Sequence, residues 1–201
     1  MHCMPKKIDH EERKETILST ALEVFAKEGY HDSNLSLIAE AAGISRPTVY
    51  QYFHNKDEIY YYAVKLITGR LFTKYSAIAW GDGESDEVER MKLILSDIVD
   101  IAIANEHALM NLMDVMVSAK RDGVDFADVI HHRTAKLSIL FKRLLRQGID
   151  NHRLRKLDID ATAEAIFNLA ELVCFQVAFF KAFDKEGALG MISSYLESLK
   201  A

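Results

Sequence analysis

Breakers are scarce in this chain: 201 residues contain only two prolines and nine glycines. That argues against a many-turned β fold and for long helices. Cysteine is equally sparse. Cys3 and Cys174 have no Cys-x-x-Cys partner, which removes a disulfide framework or a thiolate metal site and suits a reducing cytoplasm. There is no Gly-rich phosphate loop, no Gly-x-Ser-x-Gly and no His-Glu-x-x-His, so the common nucleotide, serine-nucleophile and zinc-hydrolase patterns are missing. The adjacent His131 and His132 would point about 100° apart on a helix. Asp128 and His131 could share a face, but a pair is too few for a metal site and a solvated face accounts for them. Carboxylates are plentiful, yet no pair stands out as catalytic. No enzyme activity, cofactor or metal is expected. Residues Met1 to Lys7 lead into acidic sequence, not an apolar signal core. The most apolar stretch, Ile166 to Phe183, is interrupted by Asn168, Glu171, Gln176 and Lys181, which favours a buried bundle helix over a membrane span.

What is present is an ordinary globular balance, 49% hydrophobic and 27% charged, enough for a sizeable core without staples. The formal net charge of −5 excludes a strongly basic nucleic-acid binder. It leaves room for a small DNA-reading surface, because steering depends on where charge sits.

Apolar residues recur with helical spacing throughout. Ile17, Leu18, Ala21, Leu22 and Phe25 form one face of a first helix from about Asp9 to Glu28, closed by Gly29. Ser33 is expected to cap a short second helix carrying Leu35, Ile38 and Ala42 and ending at Gly43. Ser45 caps a third, with Pro47 in its first turn and Val49 and Phe53 facing inward. Asn55 caps the fourth, from Lys56 to about Ala79, with Glu58 at the capping-box position and Ile59, Ala63, Ile67 and Leu71 as one stripe. Further helices are predicted near Glu84–Asn105, Ala108–Ala119, Phe126–Gln147, Ile159–Phe183 (capped by Asp158) and Gly187–Leu199. No strand is predicted. The fold class is all-α: three short or medium helices followed by a larger bundle.

Two short helices joined by Gly43-Ile44-Ser45 are a helix-turn-helix signal, in which the second helix enters a major groove about 12 Å wide. Arg46 is the only long cation on it and suits guanine or a phosphate; Gln51 offers the donor–acceptor pair that suits adenine. Thr48 and Tyr50 can donate to phosphate, and Lys56 with the start of the next helix can hold another. Against this stands the charge of residues 1–60, seven Lys or Arg to ten Asp or Glu. A DNA face there must be locally segregated, and its affinity salt-dependent.

The run Arg13, Ile17-Leu18, Ala21, Phe25, Gly29-Tyr30, Ser33, Ile38-Ala39, Ala42-Gly43-Ile44-Ser45, Thr48-Val49-Tyr50, Tyr52-Phe53 and Lys56-Asp57-Glu58-Ile59 resembles the DNA-binding domain of the TetR family of bacterial transcriptional regulators. The resemblance covers residues 13–60; the later helices fit only in length, helical content and order. It implies a helix-turn-helix domain over residues 9–56 and a ligand-sensing and dimerisation domain over 57–201. It implies a cytoplasmic bacterial homodimer on a palindromic DNA operator, most simply a repressor released by a small-molecule effector through a shift of the long fourth helix. By position, Ser33 stands where the family has a phosphate-touching cap. Arg46 stands where a Lys or Arg is common, Thr48, Tyr50 and Lys56 match its phosphate-contacting positions, and Gln51 and His54 lie in the variable set that tunes sequence preference; Ser45, the cap of the same helix, and Pro47 complete the DNA-binding candidates. Pro47 replaces a commoner Gly; its ring suits a thymine methyl and suits equally the first turn of any helix. A helical adaptor or ligand-binding protein without sequence-specific DNA binding is the alternative, supported by the acidic head.

In the larger domain, Met91, Met110, Met113 and Met116 suit an adaptable apolar pocket or ordinary core. Asp97 and His107 are polar candidates for the same cavity, and Trp80 and Tyr60-Tyr61-Tyr62 for its rim or for packing. Leu169, Leu172, Val173, Gln176, Val177, Phe180 and Phe183 make the penultimate helix apolar around most of its circumference, more than a surface helix needs. One side is expected to pack at home and the other on a second copy; a central helix in a monomer would give the same pattern.

Overall fold

The computed structural model describes residues 10–81, 85–121 and 135–201. Cys3, Asp9, Gly83, Glu84, Asp128, the His131-His132 pair and the start of the helix expected at Phe126 lie outside these residues. Among the described residues the chain is helical: α1 His10–Glu28, α2 Leu35–Ala41, α3 Arg46–Tyr50, α4 Lys56–Trp80, α5 Glu87–Ala104, α6 Glu106–Arg121, α7 Lys136–Asp150, α8 Ile159–Phe179 and α9 Lys185–Glu197. It divides into two compact units that part between Ile67 and Thr68. The division falls inside α4, later than the 56/57 boundary drawn from the sequence. Ile59, Tyr60, Ala63 and Val64 on its first turns are buried with the head, while Tyr75 and Ala79 belong to the bundle core.

In the head, Ile17, Leu18, Ala21 and Phe25 of α1 are buried with Ile38, Val49, Phe53 and Ile59. Phe25, Tyr30 and Tyr60 form a ring cluster with all three centroid separations at 5.4 Å. Gly29 and Gly43 take φ of +81° and +63°, the left-handed conformation that ends α1 and α2 and favours glycine. The stripe expected along α4 breaks at Ile67, which is exposed. α2 is capped by Asn34, not Ser33: the Asn34 Oδ1 accepts from the backbone of Ser36 and Leu37 at 2.9 and 3.1 Å. The Ser33 hydroxyl turns inward and donates to the Tyr30 carbonyl at 2.7 Å.

The bundle core is built from α4, α5, α7, α8 and α9, with Met91, Leu95, Phe141, Leu144 and Ile166 near its centre. Asp86, Asp158 and Asp184 cap α5, α8 and α9 through their side chains. Two ends differ from expectation. α8 stops at Phe179, where Phe180 leaves the helical region (φ −104°, ψ 123°), so residues 180–183 are a connector and not a further turn. The Asp184 cap then starts α9 at Lys185, ahead of Gly187. An antiparallel bridge between Leu154 and Lys200 was not foreseen; isolated pairs carry no period-two pattern. α8 is the one described helix long and apolar enough to cross a membrane by length and composition, and its Ala163, Ile166, Ala170, Val173 and Val177 form part of the core.

Candidate nucleic-acid interface

The candidate recognition surface is built on α3. The Ser45 Oγ accepts from the Thr48 backbone N–H at 3.3 Å and bonds the Thr48 hydroxyl at 2.7 Å, and Pro47 occupies the first turn where no N–H is needed. Val49 and Phe53 are fully buried and anchor one face. The other face is therefore presented to solvent: Ser45, Arg46, Pro47, Tyr50, Gln51 and His54 are exposed and Thr48 half-buried. Arg46 and Tyr50 act as a pair one turn apart. The guanidinium donates to the Tyr50 hydroxyl at 3.3 Å and lies 5.5 Å from its ring centroid. The combined face carries a cation, hydroxyls, a carboxamide and an apolar ring, the set that base edges and phosphates require.

Two further candidates have other duties. Ser33 is buried and spent on Tyr30. The Lys56 ammonium donates to the carbonyls of Tyr30, His31 and Ser33 at 2.8, 3.1 and 3.3 Å and lies 4.5 Å from the Tyr30 ring centroid. Tyr30 in turn donates to the Asp57 carboxylate. Burial first, then Asp57, raises the Tyr30 pKa far above the tyrosine range. Lys56 and Asp57 thus clamp the α1–α2 turn to the first turn of α4.

Asn55 accepts from the Glu58 backbone at 2.8 Å. The Glu58 carboxylate reaches back past the cap to the His54 N–H at 2.7 Å and to its ring Nδ1 at 3.0 Å. The His54 backbone donor is the largest influence holding the Glu58 carboxyl below the usual glutamate range. His10, on the first turn of α1, bonds the Tyr52 hydroxyl at 2.8 Å. Neither His10 nor Asn34 was singled out for the site, though Asn34 stands beside Ser33 with equal capping chemistry.

The other candidates lie in the second unit. Met91 is fully buried in the core. Asp97 accepts from the Lys74 ammonium at 2.6 and 2.7 Å and from the buried Tyr75 hydroxyl at 2.7 Å. Burial opposes ionisation of Asp97, but these partners outweigh it and hold its carboxyl below the usual range. His107 and Met110 are exposed, and Met113 and Met116 half-buried, on α6. On α8, Val173 and Val177 are buried at home, Leu169 and Gln176 are half-buried, and Phe183 is half-buried beyond the helix end. Leu172 and Phe180 are exposed, together with Phe175 and Phe179, which had not been picked out. A cleft of about 370 Å³ opens beside Gln176, Phe180, Phe183 and Met191. Among the described residues, no group of three or more His, Cys, Asp or Glu could hold a metal ion.

A short capped helix held against two others with its polar face outward is a helix-turn-helix arrangement, and a larger helical bundle follows it in the chain. Residues 17–62 match the family model described as bacterial regulatory proteins, tetR family. The chain is 24% identical over 152 residues to the fatty acid metabolism regulator protein of Bacillus subtilis, covering 75% of this chain and 76% of that one. It is 41% identical over 54 residues to the transcriptional activator FasR of Mycolicibacterium smegmatis, a match spanning 27% of this chain and only a quarter of the relative. Its fold superposes on that of FadR from Bacillus subtilis, solved in complex with stearoyl-CoA, with a TM-score of 0.74, 22% identity and coverage of 92% and 97% of the two chains. Residues 17–62 therefore carry the family's pattern, and the chain as a whole shares its fold with solved regulators of the TetR family.

Proposed function

We propose that the protein is a dimeric transcriptional regulator, most simply a repressor, that reads a palindromic operator and is released by a long-chain fatty-acyl effector. The observation that carries DNA reading is the outward face of α3, where Arg46, Pro47, Tyr50 and Gln51 are exposed together over a buried Val49. Arg46 and Gln51 are the base-reading candidates, with Ser45, Thr48 and Tyr50 on phosphates. His54 tunes preference from the edge, and Ser33 and Lys56 support the phosphate-facing turn from behind. Pairing through α8 and α9 gives the two-fold symmetry that an inverted repeat demands. It is supported by the apolar surface at Leu172, Phe175, Phe179 and Phe180.

The effector class comes from the relatives, one named for fatty acid metabolism and one solved with stearoyl-CoA. The methionines of α6 suit an adaptable apolar ligand. The effector acts by binding one of two states more tightly, and α4, which contributes turns to both units, is the element through which the difference passes.

Equilibrium titration of the pure protein against its own upstream intergenic DNA and a scrambled duplex, at two salt concentrations, tests the reading. Nanomolar, salt-sensitive preference for the native duplex is expected, with loss of binding on adding a long-chain acyl ligand. Equal binding to both duplexes, together with a random-sequence selection that enriches nothing, would replace it with the adaptor reading that the acidic head favours.

A further inference from the structure

The head has few cations to offer a phosphate backbone. Arg46 is the only Lys or Arg between Ser45 and Asn55, and the Lys56 ammonium is spent on three carbonyls. One more side chain on this edge can become a cation. His54 follows the buried Phe53 just beyond α3, and its side chain is 88% exposed.

A carboxylate holds the His54 ring in one orientation. One Glu58 oxygen accepts from the His54 backbone N–H at 2.7 Å and lies 3.0 Å from the ring Nδ1. An ionised carboxylate can only accept, so Nδ1 carries a proton whether the ring is neutral or charged. Glu58 is kept ionised chiefly by the His54 N–H, then by the ring and by the charge of Lys14, against its own partial burial. The charged side chains set against the imidazole are Glu58 from α4 and, beyond that carboxylate, Lys14 from α1. The Lys14 ammonium lies 4.5 Å from the Tyr62 ring centroid.

This bond decides what the opposite nitrogen, Nε2, can do. In the neutral ring Nε2 is a bare acceptor, which repels the acceptor atoms of DNA. In the charged ring it is an N–H donor that carries part of a positive charge. His10 is the contrast within the same head. Its Nδ1 bonds the Tyr52 hydroxyl, a group that can give or take a hydrogen bond, so no tautomer is imposed there.

We infer that His54 is a proton-dependent contact to the operator, donating from Nε2 to a phosphate oxygen or to the acceptor edge of a guanine only when its ring is protonated. The inference rests on the DNA reading proposed above. The bound head then holds more protons than the free head, so affinity rises as pH falls through the range in which imidazole titrates.

The test is operator titration of the whole protein at fixed salt from about pH 8 to about pH 6, for the parent, His54→Gln and His10→Gln. The parent's affinity should rise about tenfold or more across that range. Calorimetry in two buffers of unlike ionisation enthalpy should show proton uptake on binding. His54→Gln, with its fold checked by circular dichroism, should flatten the rise and lose the uptake, while His10→Gln keeps both. A proton effect that is uniform over singly substituted operators assigns the acceptor as phosphate; one confined to a single G·C pair assigns it as guanine. A His54→Gln protein with the parental pH slope overturns the inference, and so does one that weakens binding equally at every pH. Either result leaves the regulator reading standing where the parent still prefers the native duplex. A parent with no such preference at any pH removes the regulator reading, and the His54 contact falls with it.

Discussion

Lys56 separates two meanings of a cation beside a recognition helix. Position alone assigns it to a phosphate, but its ammonium is hydrogen-bonded to three carbonyls of the α1–α2 turn. Hydrogen bonds from a charged donor contribute more than neutral ones, and their loss leaves half-buried acceptors unpaired. Lys56→Ala is expected to destabilise the protein by about 1–2 kcal/mol, seen in thermal unfolding, and to weaken all operator sequences alike. An unchanged unfolding temperature would return Lys56 to the role of a simple phosphate contact. Gln51 and Tyr50 should behave differently from each other. Gln51→Ala should flatten base preference at one position in each half-site, a discrimination of about 1–3 kcal/mol for a bidentate contact. Tyr50→Phe removes the hydroxyl that accepts from Arg46 and should reduce affinity with only a small change in preference. Binding to a panel of singly substituted operators distinguishes the two, and the roles are reversed if Tyr50→Phe is the variant that loses discrimination.

At the scale of the element, α4 depends on how its first turn is closed. Asn55 serves the Glu58 backbone, and the Glu58 carboxylate serves the His54 N–H and ring. Its carboxyl is held below the ordinary glutamate range, so the folded state binds this proton less readily than the unfolded one. The resulting stability is fully present above the ordinary glutamate pKa and is lost as pH falls through the lowered folded value. Glu58→Gln should therefore lower stability at neutral pH and shallow the acid limb of the unfolding profile. Parallel acid limbs for parent and variant would show that Glu58 contributes nothing there.

The same turn shows what could be read from sequence. The caps at Ser45, Asn55 and Asp158 and the left-handed Gly29 and Gly43 were legible, because each is a local residue choice with a local cause. Asn34 was missed because Ser33 precedes it and both can cap; burial of Ser33 against Tyr30 decides, and burial is not local. The end of α8 at Phe179 was missed because no Gly or Pro marks it. The direction of the Lys56 ammonium was missed because it depends on a turn more than twenty residues away.

For the whole molecule, the open question of the sequence was what α8 does with apolar residues around most of its circumference. Val173 and Val177 lie at 0% and 3% exposure, while Leu172, Phe175 and Phe179 on the other side lie at 44%, 45% and 55%. The Phe175 and Phe179 rings sit 4.7 Å apart, with Phe180 and Met191 exposed beyond them. Burying side chains of this size is worth roughly 1.5–3 kcal/mol each, so the inner face stabilises the bundle and the outer one is available for a second copy. The two faces give opposite expectations. Val173→Ala should cost about 1–2 kcal/mol in unfolding and leave the sedimentation coefficient unchanged. Phe175→Glu should leave the fold intact, as read by circular dichroism, and convert a dimer into a monomer in sedimentation velocity. Operator binding should then fall steeply, because one acidic head with few phosphate contacts cannot hold a half-site alone. A Phe175→Glu protein that still sediments as the parent does would place the partner-facing surface elsewhere. Monomers that still bind the full operator with parental affinity would remove two-fold symmetry from the mechanism altogether.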